Sequence, residues 1–238
     1  MSGHSKWKNI LHKKEKTDAQ RAKIFTKIGR EMAVAVREGG PDPASNSKLR
    51  DCIAKARSNN VPNDNIKRII ERASGDGATY ETITYEGYGP SGVAVIVETM
   101  TDNRNRTAGE MRHYFDKFGG NLGASGCVSW QFDQKGVIVV EKGERDEDEL
   151  MLAFLDAGAD DIDLDGEVCE VFTKPDDFSA VRETLESEGY PILDANVEMV
   201  AQNYITLSGE EDLKNMQKLL DALEDNDDVQ NVWHNWEE

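Results

Sequence analysis

Cysteine is scarce in this 238-residue chain. Cys52, Cys127 and Cys169 make an odd set with no Cys-x-x-Cys pair. That argues against a disulfide framework or a thiolate zinc cluster and makes a reducing, cytoplasmic setting the expectation. Long apolar runs are also missing. None approaches the ~20 residues that span a bilayer, and the first residues are polar and charged, without the apolar centre of a secretory signal. No membrane association is expected. Catalytic signatures are equally thin, with no His-Glu-x-x-His, no Gly-x-Ser-x-Gly and no Walker lysine. His4, His12, His113 and His234 are scattered, and carboxylates are too abundant for any pair to stand out. The expectation is a non-enzymatic protein with no catalytic residues, cofactor, metal or small-molecule substrate.

Acid is what the chain has in excess: 46 Asp and Glu against 28 Lys and Arg, a formal net charge of -18. The excess is unevenly spread. Residues 1–75 hold 17 Lys and Arg against 8 Asp and Glu, and the remainder holds 11 against 38. One end attracts a polyanion and the rest repels it.

The basic end begins with a lead-in that carries Lys6, Trp7, Lys8, Lys13, Lys14 and Lys16 and shows no apolar periodicity, so it reads as an arm. Thr17 and Gln20 form a capping-box pattern at the head of a helix running to Glu38. On a helical projection Phe25, Ile28, Met32 and Val36 share one face, and Lys23, Lys27, Arg30 and Arg37 share the opposite one. The apolar stripe should meet a core and the basic stripe should meet solvent. Two further helices are expected, one ending at Asn59 that buries Leu49, Ile53 and Ala56, and one over 63–73 that buries Ile66, Ile69 and Ile70.

From Thr79 the apolar period becomes strand-like. Tyr80–Tyr88 and Val93–Val97 read as strands, the Thr101-to-Thr107 segment as the cap of a helix carrying Met111, Tyr114, Phe115 and Phe118, and Cys127–Phe132 as the next strand. Gly136–Val200 then follows β-α-β-β-α-β, the split-βαβ arrangement. A helix capped by Ser208 and a strand over Val229–Trp233 close the chain. The fold class expected is α+β and multidomain: an N-terminal three-helix domain followed by two ferredoxin-like domains, one inserted in the other. Residues 1–77 form the first, 78–134 plus 206–238 the discontinuous second, and 135–205 the insertion.

The stretch Gly119-Gly120-Asn121-Leu122-Gly123-Ala124-Ser125-Gly126 is rich in glycine but follows a helix, precedes a strand and lacks lysine. It reads as a helix cap and turn, not a phosphate loop. Arg104 and Arg106, among Asp102, Asn103 and Asn105, have the chemistry to grip phosphate or a carboxylate, or to offset the acidic body while the short polar residues cap a helix.

Several blocks together resemble the YebC/PmpR family: Gly3-His4-Ser5-Lys6-Trp7, Arg21-Ala22-Lys23-Ile24-Phe25, Asn59-Asn60-Val61-Pro62, Tyr85-Glu86-Gly87-Tyr88-Gly89-Pro90, Asp102-Asn103-Arg104-Asn105-Arg106-Thr107, Gly119-Gly120-Asn121-Leu122-Gly123 and Asp227-Asp228-Val229. The likeness spans essentially the whole chain. It implies a cytoplasmic bacterial protein with a helical N-terminal domain and two α+β domains. It also implies a DNA-binding transcriptional regulator, with translational activators and ribosome-associated factors among the relatives. The expected partner is therefore nucleic acid, either DNA or the rRNA and tRNA of the ribosome, and the chain is expected to be a monomer. A protein-interaction adaptor, with the basic end docked on the acidic body, is the remaining reading. The residues expected to contact nucleic acid are Lys6, Trp7, Lys8, Lys13, Lys14, Arg21, Lys23, Lys27, Arg30, Arg104 and Arg106.

Overall fold

A computed structural model describes residues 18–75, 77, 79–164 and 166–237, with side chains from Arg21 onward. The basic arm and the Thr17–Gln20 capping box lie outside the residues so described. In chain order the elements are α1 (Asp18–Gly39), α2 (Ser47–Ser58), α3 (Asn63–Ser74), β1 (Glu81–Tyr88), β2 (Ala94–Thr101), α4 (Arg104–Lys117), β3 (Asn121–Leu122), β4 (Phe132–Glu141), α5 (Glu147–Asp156), β5 (Asp161–Asp163), β6 (Val168–Thr173), α6 (Phe178–Ser187), β7 (Ile192–Ala201), β8 (Ile205–Thr206), α7 (Glu210–Asp225), β9 (Val229–His234) and β10 (Trp236–Glu237). Among the described residues no helix is long and apolar enough to cross a membrane.

Helices α1 to α3 close around Ile28, Met32 and Val36 of α1, Leu49 and Ala56 of α2, and Ile66 of α3, all buried. The helical period picks out these positions, and burying each large one contributes about 1.5–3 kcal/mol, whereas Phe25, Ile53, Ile69 and Ile70, also expected in the core, are half-buried at its edge. Asn46 joins α1 to α2. Its side-chain amide donates to Ala35 O and Gly40 O, both at 2.8 Å, while its Oδ1 accepts from Leu49 N at 3.0 Å and caps α2. The Asn59-Asn60-Val61-Pro62 turn is a Schellman end. Asn60 takes a left-handed φ of 59°, its N–H bonds Arg57 O at 2.9 Å, and Val61 N–H bonds Ala56 O at 2.9 Å.

The first large sheet runs β3-β1-β2-β9, and α4 and α7 cover one face through Met111, Phe115, Met216, Leu219 and Leu223. The strand expected over Cys127–Phe132 is not part of it. The short β3 pairs with β1 instead, and 129–131 is a 3-10 turn that leads into β4 of the next sheet. In this sheet β1 sits between β2 and β3, the two strands that α4 connects, and β9 lies on the far side of β2. The start of α7 also differs from expectation. Its N-cap is Gly209 and makes no side-chain hydrogen bond, so the Ser208 capping box does not form.

The second large sheet, β5-β6-β4-β7, is antiparallel throughout, with α5 and α6 on one face around Leu150, Phe154, Val181 and Leu185. This is the strand order of a split βαβ. Ala94 and Ile96 of the first sheet meet Phe132 and Ala201 of the second across a small shared core.

The helical unit touches both α+β parts. Asp51 of α2 pairs with Arg182 of α6 at 3.0 Å and accepts from Ser179 at 2.5 Å, and Arg50 pairs with Glu183 at 2.8 Å. At the junction Lys55 bonds both oxygens of Glu31 at 2.9 Å, Asn231 donates to Glu98 at 2.8 Å, and the Trp233 indole donates to Glu198. Burial alone would lower the Lys55 pKa, but Glu31 outweighs it and raises the group above its usual value.

Candidate nucleic-acid interface

The basic stripe of α1 meets the acidic body, not bulk solvent as the sequence suggests. Lys23 donates to Asp225 Oδ1 at 2.7 Å and to Asp225 O at 3.2 Å, and Lys27 donates to Glu224 O at 3.1 Å. The reason lies in α7. Its last-turn carbonyls lack intrahelical partners, and that turn contains no basic residue of its own. Cations from α1 supply the missing charge. Arg37, farther along the helix, donates to Gly77 O at 2.7 Å.

Arg30 goes deeper. Its NH1 donates to Asp228 Oδ1 at 2.7 Å and to Met100 O at 2.9 Å, and its guanidinium lies 5.1 Å from the centre of the Tyr80 ring. The other oxygen of Asp228 accepts from Arg106 at 2.7 Å, Thr107 at 2.8 Å and Thr101 at 3.0 Å. Burial opposes the charge on Asp228, but hydrogen bonds from Arg106, Arg30, Thr107 and Thr101 prevail, and its carboxyl titrates at about 2. Arg106 also pairs with Asp102 at 3.0 Å, Arg104 pairs with Glu81 at 3.0 Å, and Asn103 caps α4. Both arginines therefore have carboxylate partners.

The glycine-rich segment is a fitted joint. Gly87 of β1 lies opposite Leu122 and Tyr88 opposite Asn121. A Cβ on Gly87 would stand 2.6 Å from Asn121 O, and one on Gly120 would stand 2.5 Å from Tyr88 O, so these strands approach only with glycine at both places. Buried Glu86 then fixes the turn beyond, accepting from Gly126 N at 2.8 Å and from Val128 N and Ser129 N at 2.9 Å. Burial works against its ionisation, yet these backbone donors bring its pKa below the usual carboxylate value. The turn displays Trp130, 69% exposed, with its indole N–H fixed on Cys127 O at 3.1 Å. Sequence reading missed Trp130 by placing it inside a strand. The signal available was the run of small residues before it, which an ordinary strand has no use for.

Of the cations expected to touch nucleic acid, Lys6, Lys8, Lys13 and Lys14 lie outside the described residues, as does Trp7. Arg21 is exposed near the start of α1. The structure adds a second group. Arg57 at the end of α2 and Lys67, Arg68 and Arg72 on the outer face of α3 are all exposed, with Asp64 and Glu71 interspersed. Arg68 is held by Asn65, while Arg57, Lys67 and Arg72 form no ion pair among the described residues. No group of side chains among the described residues is placed to hold a metal ion.

Residues 5–76 match the family described as TACO1/YebC protein N-terminal domain, and residues 80–236 match TACO1/YebC second and third domain. A probable transcriptional regulatory protein of Acetivibrio thermocellus is 61% identical over 239 residues, covering 99% of both chains. One from Lachnoclostridium phytofermentans is 57% identical over 242 residues, covering 100% of both. The crystal structure of a conserved hypothetical protein, Aq1575, from Aquifex aeolicus superposes with a TM-score of 0.87 at 46% identity, covering 98% of this chain and 97% of that one.

Proposed function

The chain belongs to the TACO1/YebC family, and from that premise we propose that it is a nucleic-acid-binding regulator of gene expression that works without catalysis. The observation that carries this reading is the charge division: 17 Lys and Arg against 8 Asp and Glu over residues 1–75, and 11 against 38 beyond. Transcriptional regulation through duplex DNA is the first form of the reading, in keeping with the names of the relatives. The basic arm, Arg21, and the outer face of α3 make the phosphate contacts. Lys23 and Lys27 lie at the rim of the contact with α7 and add to that surface where their ammonium groups reach solvent. Arg30 ties α1 to the first α+β part, and Arg104 and Arg106 have carboxylate partners within that part.

One observation favours a second form, contact with rRNA or tRNA during translation. Trp130 presents a fixed, exposed indole, which suits stacking on an unpaired base better than reading a duplex. Crosslinking in cells, followed by sequencing of bound DNA and RNA, separates the two. Enrichment of promoter DNA supports the first form and enrichment of rRNA or tRNA the second. Recovery of neither contradicts the proposal.

A further inference from the structure

Six large apolar side chains are exposed among the described residues, and three of them, Met151, Leu152 and Leu155, fall on the single helix α5. They are 42%, 64% and 48% exposed. On a helical projection they share an arc of about 100°, turned away from the buried Leu150 and Phe154 that tie α5 to its sheet. The ridge is therefore not a poorly filled core. It is a second apolar face on a helix whose first one is already satisfied.

Its surroundings are acidic. Glu147, Asp148 and Glu149 occupy the first turn of α5, and Asp156 ends it. The loops on either side add Glu144 and Asp160, and the start of β5 adds Asp161, all exposed. The cations nearby in sequence are already engaged. Lys142 pairs with Glu147 at 2.5 Å and donates to Leu164 O at 3.0 Å, and Arg145 lies 4.7 Å from the centre of the Tyr190 ring.

We infer that this ridge is a docking surface for a basic amphipathic helix of another protein. Its Leu or Ile side chains would cover Met151, Leu152 and Leu155, and its Lys or Arg residues would meet the surrounding carboxylates. Sign complementarity selects this occupant. A nucleic acid or an anionic membrane is repelled by the same carboxylates, and a symmetric pairing of two α5 ridges sets like charges against each other. Methionine and leucine in an acidic frame suit packing against the apolar face of a guest helix, because their unbranched or γ-branched side chains adjust to the guest. The inference is independent of the nucleic-acid reading, since the ridge and the basic end lie on different elements.

The probe is a synthetic amphipathic helix of Leu and Lys, titrated into isotope-labelled full-length protein at physiological salt and followed by amide chemical shifts. Shifts confined to 147–156 and the loops beside it are expected, together with their absence for the Leu and Glu counterpart. Leu152→Glu, with Leu155→Glu as a second variant, should weaken binding about tenfold or more while the far-UV spectrum and melting temperature stay unchanged. Shifts centred elsewhere on the acidic body, binding by both variants as tight as by the parent chain, or self-association through α5 in sedimentation would each overturn the inference. Nucleic-acid affinity of Leu152→Glu should equal that of the parent chain, which separates this surface from the basic one.

Discussion

Arg30 and Asp228 meet at 2.7 Å across 198 residues of chain, one from the first described helix and the other from the turn before the last long strand. Asp228 is 4% exposed and Arg30 16%. The residue with which α1 grips the body is thus the deepest cation of the stripe that sequence reading assigned to nucleic acid.

Removing that grip should cost stability. Arg30→Ala leaves Asp228 with Arg106 and two threonines but strips one oxygen of its charged donor, a loss of about 1–3 kcal/mol. Lys23→Ala, whose pair is 37% and 81% exposed, should change stability by no more than about 0.5 kcal/mol. Urea denaturation of the two variants checks the contrast. Equal losses would contradict the assignment of Arg30 as the anchor.

Asp228 sets an acid limit. Its folded-state pKa of about 2 lies below the unfolded value, so its stabilisation is complete above the ordinary carboxylate range and is lost as pH falls from about 4 toward about 2. Asp228→Asn should lower stability at neutral pH and flatten the decline through that window. Parallel stability curves for parent and variant would contradict this account.

Glu98 should behave in the opposite sense. Burial raises its pKa against the lowering effect of the Asn231 hydrogen bond, with Glu31 of α1 and Glu198 of β7 raising it further and Lys55 of α2 opposing them. An acid raised in the folded state destabilises the protein as pH climbs through that value. Glu98→Gln should therefore raise the melting temperature at neutral pH and leave it little changed in acid. A drop at neutral pH would show that the ionised group is needed.

Glu86→Gln tests the joint beneath Trp130. A glutamine offers one acceptor where three backbone donors converge, and its own amide hydrogens face those donors. A loss of about 1–3 kcal/mol is expected, with faster amide exchange at 126–129. Unchanged exchange there would show that the turn holds itself.

Much of this architecture is written locally. The 3.6-residue period of α1, the Asn103 cap and the β-α-β-β-α-β order of 132–201 follow from near-neighbour chemistry, and the structure has all three. What was not legible depends on distant pairing. The destination of the basic stripe is decided by Glu224, Asp225 and Asp228, about 200 residues away in sequence and indistinguishable there from dozens of other carboxylates. The same holds for Glu86, an acid in mid-strand that gains its role only when the turn at 126–129 folds over it, and for Arg104 and Arg106, whose anion-binding guanidinium groups meet Glu81, Asp102 and Asp228.

The central claim, nucleic-acid binding through the basic end, is tested most directly by the salt dependence of affinity for a DNA duplex and a structured RNA. The comparison is between the parent chain and two variants, one with Lys6, Lys8, Lys13 and Lys14 changed to Ala and one with Lys67, Arg68 and Arg72 changed to Ala. The account predicts weaker binding to the preferred nucleic acid in both variants, with the slope of log K against log salt shallower by about 0.7–0.9 for each phosphate contact removed. Affinities and slopes that match the parent in both variants would contradict it.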